Sequence, residues 1–164
     1  MAVINVTDGT KVILTVIDVA TGSLANVHPS TGTNGLVIPT IQDITLNATP
    51  GTVRYSTLDS SASSAFTTTN ENSLSMNVLV DDDVFFGDGS NAVNQVANVG
   101  LLGTSINKSE VFFSMTFEGT GAGSNYVTGK GFMGGLAPTS SIDQAVFISP
   151  LEVTINGEIT KSTI

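Results

Sequence analysis

The sequence predicts a mainly β protein: an antiparallel β-sandwich or partly closed barrel with one α-helix packed against it. Several short segments alternate apolar and polar residues, which is the period of strands with one buried face. A single segment, Asp88 to Gly103, instead repeats its apolar residues at helical spacing. At 164 residues the chain is expected to form one domain over positions 1–164.

Three strands are predicted before the helix. Lys11 to Val19 is a run of branched apolar residues, and Leu36 to Leu46 is a second apolar run. Pro39 interrupts the second run, as is typical of an edge strand or a bulge. Ser73 to Val80 alternates strictly and ends at the acidic run Asp81–Asp83.

The helix is predicted to begin at an N-cap formed by Asp88 or Ser90. After it, Val111 to Glu118 alternates again and predicts a strand with an aromatic-rich inner face. Tyr126 to Met133 is a further strand. Its glycines predict places where another element approaches the bare backbone; they are Gly129, Gly131 and Gly134.

The closing segment, Ala145 to Ile159, is a long alternating strand with a bulge expected at Pro150. Asn156-Gly157 has the composition of a two-residue hairpin turn. A tight turn, however, would pair Ile155 with Glu158 and put Ile159 on the opposite face. We therefore expect a bulge at Asn156-Gly157 within one continuing strand.

The segment from about residue 47 to 72 is rich in Ser, Thr, Ala and Asn, and its few apolar residues are widely spaced. Such a long segment in a compact domain is usually functional or mobile. We expect an extended arm or hairpin that packs outside its own subunit, since a large aromatic in a polar segment must be buried somewhere. The candidate inter-subunit residues are Arg54, Tyr55, Leu58 and Phe66.

The composition limits the functions available to the chain. Charged residues make up 12% of it, about half the ~25% usual for soluble domains, and the mean hydropathy is +0.28. The net charge of −9, from 14 acidic and 5 basic residues, argues against a nucleic-acid-binding surface, because such affinity comes from Lys and Arg. No apolar run approaches the length of a membrane span, and the first residues show no secretory signal.

No constellation predicts catalysis, a metal site or a cofactor. His28 is the only histidine, and no orienting acid and nucleophile accompany it in the sequence; there is no cysteine. Asp81–Asp83 with Asp88 lacks the ligand spacing of a calcium loop, so a solvated or lumen-facing acidic turn is expected. We expect no enzyme.

The order of these segments resembles the tail tube (major tail) proteins of long-tailed bacteriophages, over most of the chain. The matching segments are Val12–Val19, Ile44–Asn47, the arm with Ser56–Asp59 and Phe66–Leu74, Ser73–Asp83, Asp88–Gly103, Val111–Glu118, Gly129–Met133 and Phe147–Ile159 with Gly157-Glu158.

The resemblance implies a structural virion protein that forms hexameric rings, which stack into a tube through which DNA passes without specific binding. It implies that the chain's main partner is itself, with the arm reaching a neighbouring subunit. Tail terminator, baseplate or tip, tape-measure and sheath proteins are further implied partners. The expected location is the virion tail, assembled in the host cytoplasm, with no membrane association.

An acidic channel wall would repel the DNA backbone and let the genome slide. We expect that some of the acidic residues face the lumen; the candidates are Asp59, Glu71, Asp81, Asp82, Asp83 and Asp143. Other functions remain open. One is a phage head-decoration or head-tail connector protein. Another is a β-sandwich adhesin or carbohydrate-binding module, which would usually carry a signal peptide and exposed tryptophans.

Overall fold

A computed structural model describes residues 12–39, 41–55, 64–67, 71–91, 93–140 and 146–164. Within these residues it contains ten strands and two helices. The strands are β1 (Ile13–Asp18), β2 (Leu36–Ile38), β3 (Ile41–Thr49), β4 (Thr52–Tyr55), β5 (Ser64–Thr67), β6 (Glu71–Leu79), β7 (Glu110–Thr116), β8 (Asn125–Gly134), β9 (Ile148–Ile155) and β10 (Thr160–Thr163). The helices are α1 (Asp82–Phe86) and α2 (Gln95–Ile106). The mainly β antiparallel prediction is confirmed.

Eight strands form one antiparallel sheet in the order β2-β1-β7-β8-β9-β6-β3. The eighth, β10, pairs with β8 on the edge that β9 also occupies. β8 is the longest strand, with ten residues, and it holds β7 along its other edge. The remaining two strands, β4 and β5, pair only with each other, as a separate hairpin.

The sheet must curl back on itself because its two end strands are neighbours in sequence. β2 and β3 lie at opposite ends of the strand order, yet only Pro39 and Thr40 separate them. Three extended residue steps span at most about 11 Å, so the two ends of the sheet lie close together. The apolar run Leu36 to Leu46 is therefore two strands, and Pro39, which has no N–H for a ladder, marks the corner between them.

The core fills the space inside this curl. The core consists of every second residue of the strands, as the alternation in the sequence predicts for their inner faces. The buried apolar residues include Leu14, Val16, Leu74, Met76, Val78, Val111, Phe113, Met115, Val127, Leu151, Val153 and Ile155. Val96 and Leu101 of α2 complete the same cluster, so the helix packs into the curled sheet.

The helical region differs from the prediction in two ways. α2 begins at Gln95, and its N-cap is Asn94 rather than Asp88 or Ser90, whose region forms turns held by the Asp88 carboxylate. A second, short helix, α1, follows the acidic run, with the Asp81 side chain accepting a hydrogen bond from the backbone N–H of Val84 at 3.2 Å.

A close crossing of the two helices explains why periodicity misplaced the start of α2. Gly100 interrupts α2 with φ 72° and ψ 177°, and Gly87 ends α1 with φ 90°. A Cβ on Gly100 would overlap the carbonyl oxygen of Phe85, and one on Gly87 would overlap that of Asn98. This backbone contact is tertiary, so side-chain spacing does not reveal it.

The bulge predicted at Asn156-Gly157 is confirmed. β9 pairs with β8 through Gly131↔Ile155, and β10 pairs with it through Thr160↔Thr128, both antiparallel and along one edge. The two registers differ by two residues, so the segment between β9 and β10 holds two extra residues within one continuing strand. Gly157, at φ 96°, supplies the backbone turn that this bulge needs.

The glycine prediction holds at two of three positions in β8. A Cβ on Gly131 would overlap the carbonyl oxygen of Thr154, and one on Gly129 would lie 2.9 Å from the ring of Phe113. At Gly134 an added Cβ meets nothing within 4 Å, so the expectation of a close approach there is wrong. The close approach of β9 to the backbone of β8 is therefore at Gly131, although the two strands stay paired as far as Gly134↔Glu152.

The interior is closed at one end and open at the other. The helices pack where β6 ends, whereas a cavity of about 930 Å³ opens where β6 begins. Leu46, Val127 and Ile155 supply apolar lining, and the Asn72 side chain borders the cavity with its Oδ1 atom lacking a hydrogen-bond partner among the described residues. The sheet therefore remains an incompletely closed barrel.

Substitutions at Gly131 and Gly134 of β8 separate the effect of the close approach from that of strand propensity. We expect Gly131→Ala to lower the free energy of unfolding by about 1–3 kcal/mol, because the methyl group overpacks against Thr154. Gly134→Ala is the matched control and should change it by less than about 0.5 kcal/mol. Urea denaturation of both variants measures this; equal losses would contradict the close approach.

Asn94 is the residue whose truncation should most affect the helix. It is buried, its Oδ1 caps the N–H groups of Val96 and Ala97, and its Nδ2 donates to the carbonyl oxygens of Val16 and Asn34 at 3.3 and 2.8 Å. We expect Asn94→Ala to cost about 2–4 kcal/mol of unfolding free energy, a lost cap plus two unsatisfied carbonyls.

Asn98→Ala is the control for this change. Its side chain makes a single hydrogen bond of 3.4 Å within the helix, to Gln95, so the free energy of unfolding should remain within about 0.5 kcal/mol. Thermal or urea unfolding followed by circular dichroism compares the two variants. Similar stability of both would show that Asn94 does not tie the helix to the sheet.

Candidate assembly surface

One face of the sheet is polar over three adjacent strands, exposed on the two outer strands and mostly half-buried on the central one. On β3, β6 and β9 the residues opposite to the core side are nearly all small and polar. Paired across the strands, they are Asp43, Thr45, Asn47 and Thr49 on β3, Glu71, Ser73, Ser75 and Asn77 on β6, and Pro150, Glu152 and Thr154 on β9. We call this surface the polar face.

The polar face is acidic and carries no opposing charge. Its carboxylates are Asp43, Glu71 and Glu152, and none of the three strands contains Lys or Arg. Asp43 is fixed by Asn77, whose backbone N–H and side-chain amide donate to its two oxygens at 3.1 and 2.8 Å. Asp43 and Glu152 border the same shallow depression, of about 290 Å³. The face therefore presents negative charge and hydrogen-bonding groups, with no site for an anion.

The predicted lumen acids are spread over several places. Glu71 lies on the polar face, whereas Asp81, Asp82 and Asp83 are exposed at the start of α1, beyond the other end of β6. The structure does not describe the remaining two candidates, Asp59 and Asp143.

Sequence analysis did not select two acids that share the polar face with Glu71. Asp43 and Glu152 each alternate with core residues of their own strand, so they have the parity of a surface opposite the core. The alternation of inward-facing and outward-facing residues in β3 and β9 is the signal that identifies Asp43 and Glu152.

β3 leaves a long edge of the sheet unpaired within the described residues. It pairs with β6 on one side and is the last strand in the order. Its nine residues contain no proline and no lysine, the residues that commonly protect an edge. A small register shift between Ile41 and Asp43 is its only irregularity. The other end strand, β2, has three residues and offers much less edge.

The predicted arm contains the β4–β5 hairpin, which we call the arm hairpin. Val53 lies directly opposite Phe66, and the two side chains are 44% and 54% exposed. Arg54, opposite Ala65, is also exposed, on the other face of the hairpin. Of the other candidate arm residues, Tyr55 ends β4 and Leu58 lies outside the described residues.

Two exposed phenylalanines belong to segments that meet or follow the end of β6. Phe86 of α1 is 57% exposed, and Phe147, whose carbonyl accepts the N–H of Val80 at 2.9 Å, is 54% exposed. The carboxylates of Asp82 and Asp83 are exposed on the first turn of α1.

The described residues offer little chemistry beyond these surfaces. They contain no group of three or more His, Asp or Glu side chains placed to hold a metal ion. Within the described part of the chain, no helix has both the length and the apolar character needed to cross a membrane. Lys130 forms an ion pair with Glu110 at 3.7 Å, and the Asn156 amide donates to the same carboxylate at 2.7 Å, which fixes the bulge to β7.

Comparison with solved structures gives this fold a context. A chain in the tail of an empty gene transfer agent particle, refined with C6 symmetry, superposes with a TM-score of 0.58 at 11% identity, covering 96% of this chain and 99% of that one. A chain in the 6-fold symmetrised baseplate of the anti-feeding prophage matches at 0.58 and 9% identity, covering 99% and 97%.

A third similar chain comes from an extracellular contractile injection system, the PVC sheath/tube terminator in its extended state. Its TM-score is 0.55 at 12% identity, with 98% and 99% of the two chains covered. No family model matches the sequence, and neither does any curated protein. At these identities the likeness shows a shared fold, one found in components of tail-like particles.

Proposed function

We propose that this chain is a structural tail protein: a tail tube subunit that assembles into hexameric rings, which stack around a channel for DNA. The fold shared with chains of tail-like particles supports this, and two of those particles were refined with six-fold symmetry. The subunit acts by presenting surfaces, and its acidic polar face is the candidate channel wall.

The unprotected edge of β3 is the observation that carries the proposal. Nine residues of strand edge that no described strand pairs would invite uncontrolled pairing in a monomer. In a ring, each β3 edge would instead join the sheet of a neighbouring subunit, and a closed barrel has no edges. The low charge content of the chain suits a protein whose surface is covered by such interfaces, because obligate assemblies often bury more than ~2,000 Å².

Of the two sides of β3, β6 and β9, one packs on the core, so the polar face is the side that can line a channel. It carries Asp43, Glu71 and Glu152 and no basic residue, so it repels phosphates at every point. A basic wall would hold DNA through counterion release at each neutralised phosphate. The acidic wall therefore lets the genome pass, and Glu71, one of the acids proposed from the sequence, belongs to it.

Self-assembly is the first expected outcome. The purified chain should form six-fold rings or hollow tubes as its concentration rises, because ring closure covers the β3 edge. Negative-stain electron microscopy across a concentration series, with light scattering for mass, tests this. A monomer that stays stable at the highest concentrations would contradict the proposal.

Charge reversal on the polar face tests its position at the channel. Tubes of the double variant Glu71→Lys, Glu152→Lys should retain a short fluorescent DNA oligonucleotide several-fold better than wild-type tubes, and the retention should fall steeply with salt. Co-sedimentation measures it. Each substitution replaces an exposed acid, so the fold should be unaffected.

Glu158→Lys is the control, because Glu158 is an exposed acid in the bulge between β9 and β10, away from the polar face. It should leave DNA retention close to the wild-type level. Retention by this control but not by the double variant would place the polar face outside the channel while leaving tube formation intact. A density map of the tube would then show which face lines it.

A further inference from the structure

The chain contains two Asn-Gly pairs, Asn34-Gly35 and Asn156-Gly157, and the fold surrounds them differently. The side chain of an asparagine can be attacked by the backbone nitrogen of the next residue, which closes a five-membered ring. Glycine in the second position permits this attack most readily, because it has no side chain and the widest choice of backbone angles. Each pair is therefore a potential site of deamidation, and its surroundings decide whether the reaction can proceed.

The peptide group that joins Asn34 to Gly35 is held in place. Its carbonyl oxygen accepts a hydrogen bond of 2.8 Å from Nδ2 of the buried Asn94. A Cβ on Gly35 would overlap the methyl group of Thr15, so the backbone here packs closely against β1. Ring closure draws the Gly35 nitrogen to bonding distance from the Asn34 side chain, and the rest of the planar peptide group must move with it. The contacts with Asn94 and Thr15 oppose that movement.

The peptide group that joins Asn156 to Gly157 lacks such restraints. Within the described residues, neither its carbonyl oxygen nor its N–H makes a hydrogen bond. Both residues are exposed, and a Cβ on Gly157 would meet nothing within 4 Å. The group lies in the bulge between β9 and β10, outside the regular ladder of the sheet. It can therefore move toward the Asn156 side chain while the pairing of both strands with β8 is kept.

The Asn156 side chain makes a contact that deamidation would reverse. Its Nδ2 donates to Oε1 of Glu110 at 2.7 Å, and Nζ of Lys130 lies 3.7 Å from the same oxygen. Deamidation replaces the donor NH₂ group by a carboxylate oxygen, which only accepts. The Glu110 side chain is 21% exposed, so water screens a second negative charge beside it only in part. An attractive contact between the bulge and β7 would become a contact between two carboxylates.

We propose that Asn156 is a site of spontaneous deamidation, which weakens the contact between the bulge and β7 as the protein ages. The backbone nitrogen of Gly157 forms a bond to the side-chain carbonyl carbon of Asn156. The bond from that carbon to the side-chain nitrogen breaks, and the nitrogen leaves as ammonia with the proton that Gly157 loses. Water then opens the ring at either carbonyl and gives aspartate or isoaspartate. The reaction is independent of the proposed function, since it needs the folded chain and water alone.

Mass spectrometry of peptides from the folded protein, after incubation in a mildly alkaline buffer, tests the site. Asn156 should convert about tenfold or more faster than Asn34, because reaction at Asn34 must break a hydrogen bond to a buried donor and disturb close packing. The matched control is the same chain incubated in urea. Both asparagines precede glycine, so the unfolded chain should convert them at similar rates.

Two variants test the consequence at Glu110. Asn156→Asp carries the aspartate product and should lower the Tm by about 2–4 °C, measured by circular dichroism. Adding Glu110→Gln should restore most of this loss, because a neutral amide can donate to the new carboxylate. Asn156→Gln keeps an amide at this position but needs a six-membered ring for the attack, so its conversion should fall below detection under the same incubation.

Faster conversion of Asn156 in the folded protein, with similar rates in urea, supports the site. Equal rates in the folded protein would overturn it, and so would an unreactive Asn156 under conditions that convert both asparagines in urea. An unchanged Tm of Asn156→Asp, or a loss that Glu110→Gln does not restore, would overturn the weakened contact with β7. None of these measurements depends on the formation of rings or tubes, so the proposed function can fail or stand separately.

Discussion

The close approach of β9 to the backbone of β8 is the constraint on which the rest of the structure depends. β8 holds β7 along one edge and β9 followed by β10 along the other, so it joins the two halves of the curled sheet. At Gly131 the carbonyl of Thr154 occupies the space where a side chain would begin. β6 and β3 follow β9 in the strand order, so this contact sets where the polar face on these three strands lies relative to β7 and β8.

The sequence was sufficient wherever a residue's role follows from its own strand. Alternation located the core positions of β6, β7 and β9, and the parity of Ile155 and Ile159 distinguished a bulge from a hairpin. The start of α2 could not be obtained in this way. It depends on the contact between Gly87 and Gly100 and on the bonds from Asn94 to β1, which are set by the tertiary fold.

The candidate surface was predictable only in part for a similar reason. A polar face is a property of several strands in register, so it cannot be read from residues near each other in sequence. Glu71 came from the excess of acids, whereas Asp43 and Glu152 become its neighbours only through the pairing of β3, β6 and β9. The acidic run Asp81–Asp83 attracts attention in the sequence, but the fold places it at the start of α1, beyond the end of β6.

A net charge of −9 per subunit raises the question of how such chains could associate. The arrangement of the charge offers an answer. At physiological salt the Debye length is about 8 Å, so carboxylates facing each other across a channel wide enough for duplex DNA repel one another only weakly. In the proposed tube, a phosphate backbone close to an acidic wall would lie within that distance and be repelled.

The same screening bears on the contacts between subunits. Where two copies touch, charges lie within a few ångströms and their signs matter strongly. The arm hairpin carries Arg54 and apolar side chains, and neither β4 nor β5 contains a carboxylate. Negative charge is instead concentrated on the polar face and at the start of α1, so in the proposed tube the acidic composition would oppose DNA binding more than it would oppose an association through the arm hairpin.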